Sequence, residues 1–129
     1  MLFLYPLDSL KTNQYTEAEQ IPWLWQQEFP NLLGNYPHYG VYHHYQNQEK
    51  GDFYFTIALE TKNENTPLII DESIWYEVFP TTNKQRNATW KSIKNKAKQG
   101  LLKRAYLIDF EKYLPEGKME IYISILPHC

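Results

Sequence analysis

The chain has 129 residues, of which 43% are hydrophobic and 22% are charged, and its formal net charge is −2. This composition is typical of one globular domain that can bury a core without metals or disulfides. Such a small charge gives no field to attract nucleic acid or an anionic membrane, so we expect neither as a direct partner. No segment approaches the roughly 18 apolar residues of a membrane span. The first residues also lack the charged flank of a signal peptide, which predicts a cytoplasmic protein.

Aromatic residues make up 16% of the chain, with 11 Tyr and 4 Trp. Tyr and Trp combine a large contact area with a polar atom, so they suit a ligand pocket and an ordinary small core alike. The single cysteine, Cys129, is the last residue and cannot form an internal disulfide. The histidines show no metal-ligand spacing, and the chain has no glycine-rich phosphate loop, so we expect neither a metal nor another cofactor.

The first half of the chain, about residues 1–62, predicts the order strand, helix, strand, strand. Thr16 and Glu19 form a capping-box pattern that predicts the start of the helix, and Pro30 and Gly34 predict its end. The apolar face of this helix is predicted at Ile21, Leu24, Trp25 and Phe29. The strands are predicted at residues 2–12, 38–46 and 52–61.

The second half, about residues 68–126, predicts the same order. Thr82 and Gln85 offer another capping box, and Gly100 predicts the end of the helix. The turn at residues 115–117 predicts a hairpin between the last two strands. The helix face is predicted at Trp90, Ile93 and Ala97, and the strands at residues 68–80, 103–113 and 118–126.

The two halves align without a gap. The segment YHHY (residues 42–45) matches FEKY (residues 110–113), seven residues follow each segment, and a matching strand comes next. A tandem βαββ repeat predicts one α+β domain, residues 1–129, with an antiparallel sheet, two helices and an approximate twofold axis. A ligand cleft is expected along that axis, because elements of both copies meet there. In this alignment Glu111 takes the position of His43.

Glu111 is the strongest candidate for a functional residue. It stands in YLIDFEKY, a strand rich in apolar and aromatic residues. A buried carboxylate among aromatic faces suits a lipophilic cation, because coulombic attraction and cation–π contact add in a water-poor site. The alternative is a surface glutamate paired with Lys103 or Lys112, and the strand pattern alone leaves both interpretations open.

Segments spread over nearly the whole chain resemble one known family in their order and spacing. They are the helix motif Ile21-x-x-Leu24-Trp25-x-x-x-Phe29, the strand Trp75-Tyr76-Glu77-Val78-Phe79, and Asp109-Phe110-Glu111-x-Tyr113 followed by Ile121-Tyr122-Ile123. The family is the GyrI-like small-molecule-binding domain, which is also the effector-binding module of AraC-type and multidrug-responsive transcription activators. Ala58 departs from it, since glycine is frequent at this position of the family's second strand.

The resemblance implies a cleft that binds amphipathic, often cationic compounds, with Glu111 as its buried acid. The chain resembles the free-standing members of the family, which carry no DNA-binding helices. Some of these members are encoded on mobile gene cassettes. The expected partner is a small lipophilic cation that is sequestered or sensed, and a protein partner or a homodimer stays open. Together with the repeat, the resemblance implies the ligand-binding residues Glu111, Tyr122, Trp90, Trp25, Tyr42, Tyr54 and Tyr76.

Two other functions stay open at this level. Some GyrI-like proteins hydrolyse strained electrophilic natural products, and Glu111 would then act as the general base for a water molecule. Others resemble inhibitors of DNA gyrase, which implies a protein-interaction role. No sequence feature separates a binding glutamate from a catalytic one, so enzymatic activity is undecided and binding is the favoured function.

Overall fold

The structure, a computed structural model, describes residues 1–127 as two α-helices and a seven-stranded antiparallel sheet. The predicted α+β class is therefore confirmed, while Cys129 lies outside the described residues. The helices are α1 (Glu17–Leu32) and α2 (Arg86–Lys98). The strands are β1 (Leu2–Thr12), β2 (His38–His43), β3 (Phe53–Glu60), β4 (Leu68–Ile70), β5 (Tyr76–Thr82), β6 (Asp109–Tyr113) and β7 (Lys118–Ser124).

The strand order β4-β1-β3-β2-β6-β7-β5 contains the same arrangement twice. In each half, the two strands after the helix form a hairpin, and the strand before the helix pairs with the second of them. The two hairpins meet where β2 pairs with β6. The short β4 extends only the first half, beside β1. The topology thus has an approximate twofold axis through the β2–β6 pair.

The residues that correspond in the two halves differ from those of the gapless alignment. Gly40 lies opposite Glu111 across the β2–β6 pair, so both residues occupy the same face of the sheet. His43, three residues further along β2, lies on the other face, where its ring contacts Thr56. A twofold axis perpendicular to the sheet exchanges a position of β2 with a position of β6 on the same face. Glu111 therefore corresponds to a residue on the face of Gly40, and the match of His43 with Glu111 was wrong. The connection between β2 and β3 is also longer than that between β6 and β7, which a gapless alignment does not allow.

Two predicted strands are shorter than their sequence pattern indicated. The expected strand at residues 68–80 is divided by a turn in which the Asp71 carboxylate accepts the backbone N–H of Ser73. The expected strand at residues 103–113 begins only at Asp109. Tyr106, with a φ of 53°, interrupts the extended backbone before it.

The ends of the helices also depart in part from the prediction. The Thr16 side chain makes no capping hydrogen bond, and α1 continues past Pro30 to Leu32. Phe29, expected on the apolar face of α1, is 60% exposed, whereas Ile21 and Leu24 are buried. Before α2, the Thr82 hydroxyl accepts the backbone N–H of Gln85, as predicted. Within residues 1–127, neither helix is long and apolar enough to span a membrane.

The sheet buries apolar side chains on both of its faces. On one face, β3 and β7 carry Phe55, Ile57, Ile121 and Ile123, which pack beneath α1 and α2 and have no solvent exposure. On the other face, the curled sheet packs aliphatic residues of β1–β4 against Phe110, Tyr76 and Tyr122. The face beneath the helices is the one that carries Glu111, because Glu111 lies opposite Ile121 in the β6–β7 pair.

Candidate functional site

The side chain of Glu111 has no solvent exposure. Its Oε2 accepts a hydrogen bond from Trp90 Nε1 at 2.7 Å and pairs with Arg86 Nε at 2.6 Å. Its Oε1 accepts a hydrogen bond from the Tyr113 hydroxyl at 3.0 Å. Both carboxylate oxygens thus have polar or charged partners, which is the condition for burying a carboxylate. The alternative of a surface glutamate paired with Lys103 or Lys112 was wrong.

The local structure explains why these partners converge on Glu111. Tyr113 follows Glu111 by two residues in β6, so both side chains lie on the same face of the sheet. Arg86 and Trp90 are four residues apart in α2 and therefore lie next to each other on one face of that helix. This face of α2 points towards Glu111 of β6, which both side chains contact.

Arg86 supplies the positive charge that balances Glu111. Besides its contact with Glu111, its Nη2 donates to the Tyr42 hydroxyl at 2.8 Å and its Nη1 donates to Asn87 Oδ1 at 3.1 Å. Burial alone would lower the pKa of Arg86, but Tyr42 and Glu111 raise it above its ordinary value. Arg86 therefore keeps its positive charge. Of its side chain, 24% remains exposed.

The neighbouring tyrosines stay neutral. Burial, and after it the charge of Glu111, raises the pKa of Tyr42 and of Tyr113 well above the ordinary value. Their hydroxyl groups therefore keep their protons at any physiological pH. Tyr113 uses its proton to bind Glu111, and Tyr42 offers its oxygen to Arg86.

Aromatic rings from both helices and the central strands surround the acid. Trp25 of α1 packs edge-on against Tyr113, with ring centroids 4.9 Å apart. Trp90 of α2 lies 5.1 Å from Tyr42, and His38 stacks on Tyr113 at 5.2 Å. Both tryptophans are partly exposed, so part of this aromatic surface reaches solvent.

The structure brings together four of the seven residues expected to bind a ligand. They are Glu111, Trp90, Trp25 and Tyr42. Tyr122 and Tyr76 lie on the opposite face of the sheet, where Tyr122 stacks on Phe110 at 4.4 Å. Tyr54 also lies on that face, beside His43. Because side chains alternate between the two faces of a strand, the sheet separates these three tyrosines from Glu111.

Arg86 and Tyr113 belong to the site but are not among the residues predicted for it. The signal for both is their spacing from residues that are. Arg86 precedes Trp90 by one helical turn, and Tyr113 follows Glu111 by one strand repeat.

A second buried acid, Asp109, lies two residues before Glu111. Its Oδ1 accepts hydrogen bonds from the backbone N–H and the hydroxyl of Ser124, at 2.7 and 2.8 Å. Its Oδ2 accepts from the Tyr45 hydroxyl at 2.6 Å and pairs with Arg104 at 2.8 Å. The Arg104 guanidinium also lies 5.9 Å from the Trp90 ring, so Trp90 contacts both Glu111 and the counter-ion of Asp109.

In this structure the site is closed around Arg86. A surface depression of about 250 Å³ next to Tyr36 and Lys62 includes none of the residues around Glu111. Within residues 1–127, no group of three or more His, Cys, Asp or Glu side chains converges as a metal site. What the arrangement holds chemically is a largely desolvated ion pair, Arg86 with Glu111, next to aromatic side chains.

Comparisons with known proteins show a shared fold. No family model matches the sequence, and no curated protein sequence matches it significantly. Among solved structures, the chain is similar to the integron cassette protein VCH_CASS2 from the mobile metagenome of Vibrio cholerae. The TM-score is 0.73 at 22% identity, over 97% of this chain and 99% of that chain. At this identity the likeness establishes the fold alone, which therefore also occurs in a protein of a mobile gene cassette.

Proposed function

We propose that this protein binds a small, flat organic cation between α1 and α2, with Glu111 as the acid that attracts it. The observation that carries the proposal is the full burial of the Glu111 carboxylate among one partly exposed guanidinium and aromatic hydrogen-bond donors. Low-dielectric surroundings strengthen the attraction of a buried carboxylate for a cation. The resemblance to GyrI-like domains supports the same function, in a cytoplasmic protein that sequesters or senses its ligand.

A bound cation would take the place that Arg86 occupies in this structure. Arg86 would then turn towards solvent, which part of its side chain already reaches. The exchange replaces one ion pair at Glu111 by another, so the free energy lost with the first pair is nearly regained with the second. The affinity for the ligand would come from the faces of Trp25, Trp90 and Tyr42, through apolar and cation–π contacts.

The hydrogen bonds of Glu111 favour binding over the alternative of general-base catalysis. A general base needs a carboxylate oxygen within hydrogen-bond reach of the water that it activates. Here Oε2 is shared by Trp90 and Arg86, and Oε1 accepts from Tyr113. Cation binding keeps the contacts of Glu111 with Trp90 and Tyr113 and replaces only the contact with Arg86.

The test compares a planar cationic dye with a neutral analogue of similar shape, by quenching of tryptophan fluorescence. In Glu111→Gln we expect the affinity for the cationic dye to fall about tenfold or more, which corresponds to about 1.4 kcal/mol. The affinity for the neutral analogue should stay within about twofold, or roughly 0.4 kcal/mol. The matched control is Glu77→Gln, because Glu77 is an exposed glutamate of β5. Equal losses of affinity for both dyes in Glu111→Gln would contradict the role of Glu111 as the counter-ion of the ligand.

A further inference from the structure

We infer that the ligand carries a planar amidinium or guanidinium group, and that Arg86 is a built-in competitor which this group displaces. The inference rests on the proposed function, because it names the ligand class and the regulation of the same site. It follows from the contacts that the site makes to its own guanidinium.

The site presents three separate oxygen acceptors to the three nitrogens of Arg86. Glu111 Oε2 lies 2.6 Å from Nε, the Tyr42 hydroxyl 2.8 Å from Nη2, and Asn87 Oδ1 3.1 Å from Nη1. A planar cation with several N–H groups can satisfy such acceptors together. A quaternary ammonium has no N–H group, so it would give the Tyr42 oxygen no hydrogen bond and would leave Glu111 Oε2 with the hydrogen bond from Trp90 alone.

The aromatic neighbours suit the same chemistry. The guanidinium group lies between the Tyr42 hydroxyl and the Glu111 carboxylate, which Trp90 also binds. The Trp90 and Tyr42 rings are 5.1 Å apart, and each side chain places one polar atom at the Arg86–Glu111 pair. Delocalised planar cations stack on aromatic faces and lose less hydration than a compact ammonium when they are buried. An aryl group attached to the amidinium would extend this contact towards solvent.

A comparison with Arg104 indicates why Arg86 can be exchanged. Both arginines pair with a buried acid of β6, but the Arg104 side chain is 6% exposed and that of Arg86 is 24% exposed. Arg86 is also the first residue of α2, so its side chain can turn outwards without crossing the helix. Arg104 is enclosed and serves as a structural partner, whereas Arg86 lies at the solvent edge of its acid.

The test removes the internal cation and supplies an external one. We expect Arg86→Ala to bind benzamidine at least about tenfold more tightly than the wild type, since the ligand no longer competes with the side chain. Phenyltrimethylammonium, a cation of similar size without N–H groups, should gain less than about twofold, or roughly 0.4 kcal/mol. Isothermal titration calorimetry measures both affinities. Lys94→Ala is the control, because it removes an exposed cation of the same helix that pairs with Glu17 instead.

Two outcomes would overturn the inference. One is an Arg86→Ala protein that gains no affinity for benzamidine, and the other is an equal gain for phenyltrimethylammonium. If Arg86→Ala does not fold, Arg86→Lys serves instead. Lysine reaches fewer of the three acceptors, so benzamidine should again bind more tightly than to the wild type, and an unchanged affinity would contradict the inference.

The result also separates this inference from the proposed function. If cationic dyes bind in a Glu111-dependent manner but Arg86→Ala shows no preference for the amidinium, the proposed function stands and the inference is wrong. If neither protein binds any of these cations, both are wrong.

Discussion

Gly40 lies directly opposite Glu111 across the β2–β6 pair, and the ring of Trp25 occupies the space that a side chain at position 40 would need. A Cβ atom on Gly40 would come within 2.9 Å of Trp25 Cζ2 and 2.8 Å of Phe55 Cζ. Real Cβ atoms almost never make such close contacts. The missing side chain therefore allows α1 to bring its tryptophan against the sheet, next to the strand that carries the buried acid.

We predict that Gly40→Ala displaces Trp25 and destabilises the protein. Adding a methyl group to a packed core costs about 1–3 kcal/mol, because neighbouring side chains must leave their preferred positions. Urea unfolding gives the free energy, and near-UV circular dichroism reports the shift of the tryptophan ring. A loss below about 0.5 kcal/mol with an unchanged near-UV spectrum would show that Trp25 is not tightly packed against Gly40.

The free energy of unfolding should fall by more when Arg86 is removed than when Glu111 is replaced. Arg86→Ala leaves a carboxylate with no solvent exposure and no counter-charge, which costs about 3–5 kcal/mol. Glu111→Gln leaves a partly exposed guanidinium that can turn towards water, so we expect a smaller loss of about 1–3 kcal/mol. Urea unfolding of both variants at neutral pH measures which of them loses more stability.

The control for this comparison is the exposed pair of Lys94 and Glu17, with N–O at 3.2 Å. Lys94→Ala should change the free energy of unfolding by no more than about 1 kcal/mol, as for other surface pairs. An equal or larger loss in Glu111→Gln than in Arg86→Ala would mean that the buried carboxylate does not depend on Arg86.

The alternation of residues in the sequence predicted much of this fold. It placed Ile121 and Ile123 on one buried face of β7 and predicted the order of helices and strands in both halves. The same alternation places Tyr122, between these two isoleucines, on the opposite face. The family resemblance and the repeat nevertheless assign Tyr122 to the site, in conflict with this alternation.

Alternation within one strand does not show which of its two faces lies on the same side of the sheet as a given face of the neighbouring strand. That relation depends on the pairing register, which places Glu111 opposite both Gly40 and Ile121. The register changes again at the irregularity between Pro6 and Asp8 of β1. Long-range pairing and hairpin length set these contacts, and a single sequence does not show them. The charge partner Arg86 depends on the same register, because it reaches Glu111 only once α2 has packed on β6.

The two faces of the sheet should differ in their effect on ligand binding. Trp90→Phe removes the N–H that binds Glu111 and part of the aromatic surface, so we expect a cationic dye to bind about three- to tenfold more weakly. Tyr122→Phe changes only a hydroxyl that binds Glu120 on the far face. Its dye affinity, measured by fluorescence anisotropy, should equal that of the wild type. A weakening in Tyr122→Phe comparable to that in Trp90→Phe would place the ligand on the other face.

Asp109 should be essential for stability and independent of the ligand. It accepts four hydrogen bonds from Ser124, Tyr45 and Arg104, and its side chain is buried. Asp109→Asn puts an NH₂ group where a carboxylate oxygen accepted hydrogen bonds and leaves Arg104 unpaired, so we expect a loss of about 3–5 kcal/mol in chemical denaturation. The exposed Asp8 provides the matched control, since Asp8→Asn should change stability by less than about 0.5 kcal/mol. Similar effects of the two substitutions would contradict the structural role of Asp109.

His43 should make the protein less stable in mild acid. Burial, and after it the adjacent His44, lowers the pKa of His43 from 6.5 to about 4. As the pH falls from about 6.5 to about 4, the unfolded chain therefore takes up a proton that folded His43 does not, and stability is lost over this interval. His43→Gln removes this contribution while leaving the other titrating groups, including His38, in both proteins. The free energy of unfolding of the wild type minus that of the variant should fall across this interval and level off below about pH 4. A difference that stays constant from pH 7 to pH 4 would show that His43 takes up its proton equally in both states.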